Sequence, residues 1–191
     1  MSFDETILRC SAPSLCGIKP SCLFSIDGSF FSGNREALIA LRNSFCIKQR
    51  FFVPIKKEEN RFLFFVYDRL LLEELCAKKE NIEYLRNKNY PVQSGFKAIL
   101  AEFIYRLAHQ KNFPHEAGLF LGYPLEDVIG FELNCAKNFL YSGLWKVYGN
   151  TQKSLSLMND YKDCTQKCIS FYRQGLSVQL TAKKYCSLRA E

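Results

Sequence analysis

Histidine and tryptophan are scarce in this chain, with two of the first and one of the second among 191 residues. It also lacks a CxxC pair, a glycine-rich phosphate loop and any long apolar run. Each absence closes a class of function. FLFFVY at residues 62–67, its most apolar stretch, falls far short of the ~20 residues that span a bilayer, so no membrane association is expected. His115-Glu116 is followed one helical turn later by Leu119 where the zinc motif HExxH needs a second histidine. GLFLGYPLEDV places Glu126 and Asp127 at the start of a helix, where they would repel a phosphate. Cys10, Cys16 and Cys22 are spaced by six, and Cys164 and Cys168 lie one helical turn apart, neither of which matches the tight loops of structural zinc or iron–sulfur sites. The expectation is no metal and no cofactor.

The opening MSFDETILRC has no basic segment followed by an apolar one, so a secretory leader is not indicated and a cytoplasmic location is expected. Nine cysteines, an odd number scattered through apolar segments, fit reduced thiols better than a disulfide framework.

What is present is apolar and aromatic. With 48% of residues hydrophobic and 15% aromatic, the length suits one well-buried core, and a single domain over residues 1–191 is expected. The net charge is +7, and from Thr151 onward seven basic residues face three acidic ones. No base-stacking motif accompanies these lysines, so they read as a solvated helix face and not as a nucleic-acid surface.

Along the chain, Pro13, Gly17, Pro20 and Gly28 predict a structured loop leading to a strand at CLFSI, 22–26. NREALIALRNSFC carries helical periodicity behind Asn34 as N-cap. FFVPI and RFLFFVY around KKEEN predict a hairpin, with Pro54 confining the first run to an edge or bulge. Helical signals fill 68–110, strongest in SGFKAILAEFIYRLAHQ, which predicts Ser94 as N-cap and a solvent-facing Glu102–Arg106 pair. GLFLG reads as a strand, a helix starts from Pro124, and FLYSGLWKVYG alternates like a strand packing its aromatic face inward. A long helix behind Thr151 ends near Gly175. The sum is an α+β fold, a mixed and mostly antiparallel sheet of about five strands packed with five or six helices.

Two histidines limit the sites for imidazole chemistry. His109 ends the strongest amphipathic helix, where it caps the C-terminus or faces water, whereas His115 stands at a loop junction of the kind that presents functional groups. Among the cysteines, Cys10 and Cys16 fall in CSAPSLCGIKP, with Lys19 close enough to lower a thiol pKa.

CSAPSLCGIKPSCLFSI, FPHEAGLFLGYPLEDVIGFELN and CAKNFLYSGLWKVYGN together resemble the bacterial family known as domain of unknown function 3793, over nearly the whole chain. The matching positions are Cys10, Ser11, Pro13, Leu15, Gly17 and Lys19, then His115, Glu116 and Gly118, then Asn134, Lys137 and Asn138, and finally Trp145 and Lys146. Ala12, between Ser11 and Pro13, departs from the pattern. The resemblance brings no established activity, but it favours Cys10 over Cys16. It frames a thiol-dependent enzyme acting on a small or peptide-like substrate, with Cys10 as nucleophile, His115 as base, Glu116 or Asn134 orienting the imidazole, and Lys19 or Lys137 holding an anionic group. The alternative is a non-catalytic binding or regulatory module, using the same polar residues for a small anionic ligand or a protein partner.

Overall fold

The structure is a computed structural model that describes residues 2–46, 49–58 and 60–190. Its contacts divide the chain into two compact units, Met1–Leu71 with Asp160–Glu191, and Leu72–Asn159.

The first unit opens with a helix, α1 (Phe3–Leu15), in place of the expected loop. Ser2 accepts the amide of Glu5, Asp4 and Glu5 complement the positive helix end, and Ile7, Leu8, Ala12 and Leu15 form a buried stripe. Pro13 has no amide to donate to the Arg9 carbonyl, and the helix ends two residues later, at Leu15. Gly17 takes φ +70°, the Ile18 amide donates to the Pro13 carbonyl at 2.9 Å and the Gly17 amide to Ser14 at 3.2 Å. That is a Schellman end, and Pro13 and Gly17 belong to it as helix punctuation rather than as loop residues.

Next come β1 (Ser21–Asp27), α2 (Gly28–Gly33), α3 (Arg35–Cys46), β2 (Arg50–Glu58) and β3 (Arg61–Asp68). The three strands form an antiparallel sheet in the order β1-β3-β2. Phe64–Tyr67 of the central strand β3 is buried at every position, which is why this segment reads as a continuous apolar run instead of an alternating one. Pro54 lies on the edge strand β2 opposite Phe64, as its missing amide requires. The hairpin's charged turn includes Glu59, which lies outside the described residues. Phe31, Phe45, Phe52 and Phe64 pack with the α1 stripe into the core.

The unit boundary falls within α4 (Arg69–Ala77) and again within α9 (Thr151–Arg173). Between them the second unit contains α5 (Lys79–Asn87), a 3-10 turn at Val92–Ser94, α6 (Phe96–His109), α7 (Ala117–Phe120), α8 (Leu125–Asn134) and the two-residue strands β4 (Tyr141–Ser142) and β5 (Lys146–Val147). The chain ends in α10 (Val178–Ala190), part of the first unit. Ile99, Phe103 and Leu107, at helical spacing on α6, are buried, and the Phe103 ring stacks on Phe120 at 3.8 Å.

The class is α+β as expected, but the described residues form ten helices and two small antiparallel sheets of three and two strands, not one mixed sheet of five. GLFLG forms α7 and a turn; an apolar run this short has no periodicity that separates strand from buried helix. FLYSGLWKVYG is a tight hairpin whose ladder is only two residue pairs long, because the chain turns at Gly143-Leu144 before the alternation can extend. Gly95, not Ser94, precedes α6, and Asn150 caps α9 by accepting the Lys153 amide at 2.9 Å. No helix among the described residues is long and apolar enough to cross a membrane.

Candidate functional site: an aromatic cleft in the second unit

Two buried carboxylates organise this unit. Pro124 starts α8 and places Asp127 in its first turn, facing the unit's interior. Asp127 Oδ2 accepts the Trp145 indole N–H and the Ser154 hydroxyl, each at 2.8 Å, while Oδ1 accepts the Tyr148 and Gly149 amides at 2.7 and 2.9 Å. Four donors on one carboxylate tie the β4–β5 hairpin and the start of α9 to α8. Next to it, Glu126 Oε1 accepts the Asn150 amide at 3.0 Å.

The second carboxylate is Glu116. Its Oε1 receives Arg106 Nη1 at 2.9 Å and the Tyr90 hydroxyl at 3.1 Å, while Arg106 also donates to Glu102 at 2.6 Å and to the Lys88 carbonyl at 2.9 Å. The guanidinium lies 4.1 Å from the Tyr90 ring centroid. Burial and then the Glu116 charge push the Tyr90 hydroxyl up, keeping it a donor. The Glu102–Arg106 pair predicted from spacing therefore exists, but Arg106 is mostly buried and joins three segments instead of facing water.

Beside Asp127 opens a cleft of about 510 Å³, within the size range of small-molecule sites. Its walls are largely aromatic, with Phe113, His115, Tyr123, Phe131 and Trp145 contributing. Tyr123 and Trp145 stack at 4.6 Å with 19° between their planes, and the His115 ring lies 5.4 Å from that of Phe131. Gly118 in α7 leaves room for Tyr123: an added Cβ would come within 3.2 Å of that ring. Lys146 also lines the cleft, its ammonium 3.7 Å from the Phe139 ring centroid.

The residues selected from sequence are spread through both units. His115 lines the cleft and is exposed, whereas its neighbour Glu116 points to a different place and is committed to Arg106 and Tyr90. Asn134 donates to the Gly130 carbonyl at 2.8 Å and closes the end of α8, with exposed Lys137 in the turn beyond, where Cys135, Ala136 and Asn138 take positive φ. In the first unit, Cys10 sits half-buried on α1, and Lys19 lies 5.3 Å from the Tyr161 ring centroid. Burial pushes the Cys10 thiol up, the nearby Cys22 adds to this, and Arg9 opposes it.

Tyr123 and Phe131 were not among the expected site residues, and Trp145 and Lys146 stood in a motif without a role. Their signal was present all the same: the chain's one tryptophan, within thirty residues of the better-placed histidine. The family model described as "Protein of unknown function (DUF3793)" matches residues 7–181. No curated protein and no solved structure matches the chain.

Proposed function

The chain belongs to the DUF3793 family of proteins of unknown function, and from its geometry we propose that it is a binding module whose second unit takes a small amphipathic anion in the aromatic cleft. One observation carries this reading. Asp127, the acid among the described lining residues, is consumed by four donors, while His115 and Lys146 bring the cleft's basic side chains to walls that are mostly aromatic and aliphatic. A planar apolar body stacks on such walls, and an acidic end meets the imidazole and ammonium. Exposed Phe113 and Leu144 at the lining leave an apolar entrance.

Trp145 lies in the wall and is the only tryptophan, so its fluorescence reports directly on occupancy. Titration with 8-anilinonaphthalene-1-sulfonate should quench it saturably. Lys146→Ala should weaken that binding about two- to fivefold, the size of a partly exposed ion pair. Equal affinity for an uncharged naphthylamine, or no saturation, would overturn the reading.

The thiol-dependent enzyme is the second reading, with Cys10 as nucleophile, His115 as base, Glu116 or Asn134 as its orienting partner, and Lys19 or Lys137 on the substrate. It has less support. A nucleophilic thiol needs its thiolate stabilised, and burial acts on Cys10 in the opposite direction. Iodoacetamide should therefore label exposed Cys135 faster than Cys10 near neutral pH. The reverse order would move the balance to the enzyme.

A further inference from the structure

The first unit gathers sulfur in its core. Cys16, at the end of α1, meets Cys164 and Cys168, one turn apart on α9, and the three Sγ atoms all lie within 4.8 Å of one another. All three side chains are buried. Cys16 Sγ and Cys168 Sγ are 3.5 Å apart across 152 positions of sequence. Cys186, on α10, donates its thiol to the Cys16 carbonyl at 3.2 Å and also meets the Cys16 thiol.

We propose that Cys16, Cys164 and Cys168, with Cys186 completing the set, bind one zinc ion or another soft divalent ion of that class. Tetrahedral thiolates at about 2.3 Å from zinc stand roughly 3.8 Å from one another; the Cys16, Cys164 and Cys168 sulfurs, all within 4.8 Å, stand near that spacing, and exposed Cys186 would turn in from the Cys16 carbonyl to close the fourth side. Soft thiolates select soft ions over magnesium or calcium. The ligands come from three helices, and Cys16 is fixed in place by the Schellman end at Gly17. This arrangement explains why loop-motif spacing was uninformative: the site is assembled by the fold, not by a knuckle.

Coordination is not a redox step: the ion takes the place of the thiol protons, which pass to solvent. Tyr185, a buried residue, hydrogen-bonds the Cys164 thiol from just outside the ligand set, where a positioning partner would stand.

The test uses the full chain, purified under reducing conditions, with metal content measured by mass spectrometry and Co²⁺ added after chelation. One equivalent of zinc per chain and a thiolate-to-cobalt charge-transfer band are expected. Cys168→Ser should lose most of the band, Cys186→Ser should weaken Co²⁺ binding about tenfold, and Cys135→Ser should leave both unchanged. Absence of the band on the reduced wild-type chain overturns the site without relying on any variant to fold. A band that persists in Cys168→Ser, or a Cys16–Cys168 disulfide whose reduction restores no Co²⁺ binding, overturns it as well. An unchanged affinity in Cys186→Ser overturns the fourth ligand.

Discussion

In the unit formed by Met1–Leu71 and Asp160–Glu191, a sheet supplies the backbone pairing, hydrocarbon and sulfur fill the core, and the buried carboxylate Asp68 stands at a strand end against Arg50 at 2.9 Å. In Leu72–Asn159 the sheet is only two residue pairs long, and Asp127 and Glu116 sit deep inside. The contrast shows two ways of satisfying backbone amides. A three-stranded ladder pairs them with one another and leaves side chains free to be apolar; where no ladder forms, a carboxylate collects them, as Asp127 does for Tyr148 and Gly149. The second solution leaves the nearby aromatic rings less enclosed, and those rings line the cleft.

The sharpest way to break the contrast is Asp127→Ala. It orphans four donors at once, and a loss of about 4 kcal/mol is expected from the unfolding midpoint in urea followed by Trp145 fluorescence. Phe64→Ala attacks the other solution, leaving a cavity at a fully buried position of the central strand. It should cost about 3 to 4 kcal/mol, read by far-ultraviolet circular dichroism, with no polar group orphaned. Gly130→Ala is a smaller change with a sharp geometric cause, since a Cβ there would overlap the Tyr148 side chain; about 1 to 3 kcal/mol is expected from thermal unfolding. His115→Ala comes last. An exposed side chain at the cleft should leave the melting temperature unchanged while weakening binding of 8-anilinonaphthalene-1-sulfonate a few-fold, which separates the site from its scaffold.

Where a segment had one period and a length to match, the sequence was readable. The β2–β3 hairpin, edge Pro54, α6 with its buried stripe, and α9 ending at Gly175 all follow from local rules, and His109 turns back to the Tyr105 carbonyl at 2.9 Å as a helix-end histidine should. The first helix was hidden because Pro13 and Gly17 are breakers in isolation and terminators in sequence. Of the cleft, His115 could be read, but not its setting. Glu116 reads in sequence as a partner for its neighbour, because nothing local reveals that Arg106 and Tyr90 reach it from other segments. Asp127 reads locally only as an acid at a helix start, for the same reason, its four donors lying eighteen or more positions away.

The first unit is discontinuous in sequence, and that bears on how the protein is made. During synthesis the ribosome releases α1, the sheet and α3 long before α10, which packs against both of those helices, so the stripe at Ile7, Leu8, Ala12 and Leu15 can dock on β1 and β3 early but is fully covered only when the C-terminal segment arrives. Leu72–Asn159, being continuous, has its whole sequence available earlier. The order of emergence therefore puts the unit with the cleft ahead of the unit with the sheet, and makes the late-arriving helix the step that ends exposure of the N-terminal core.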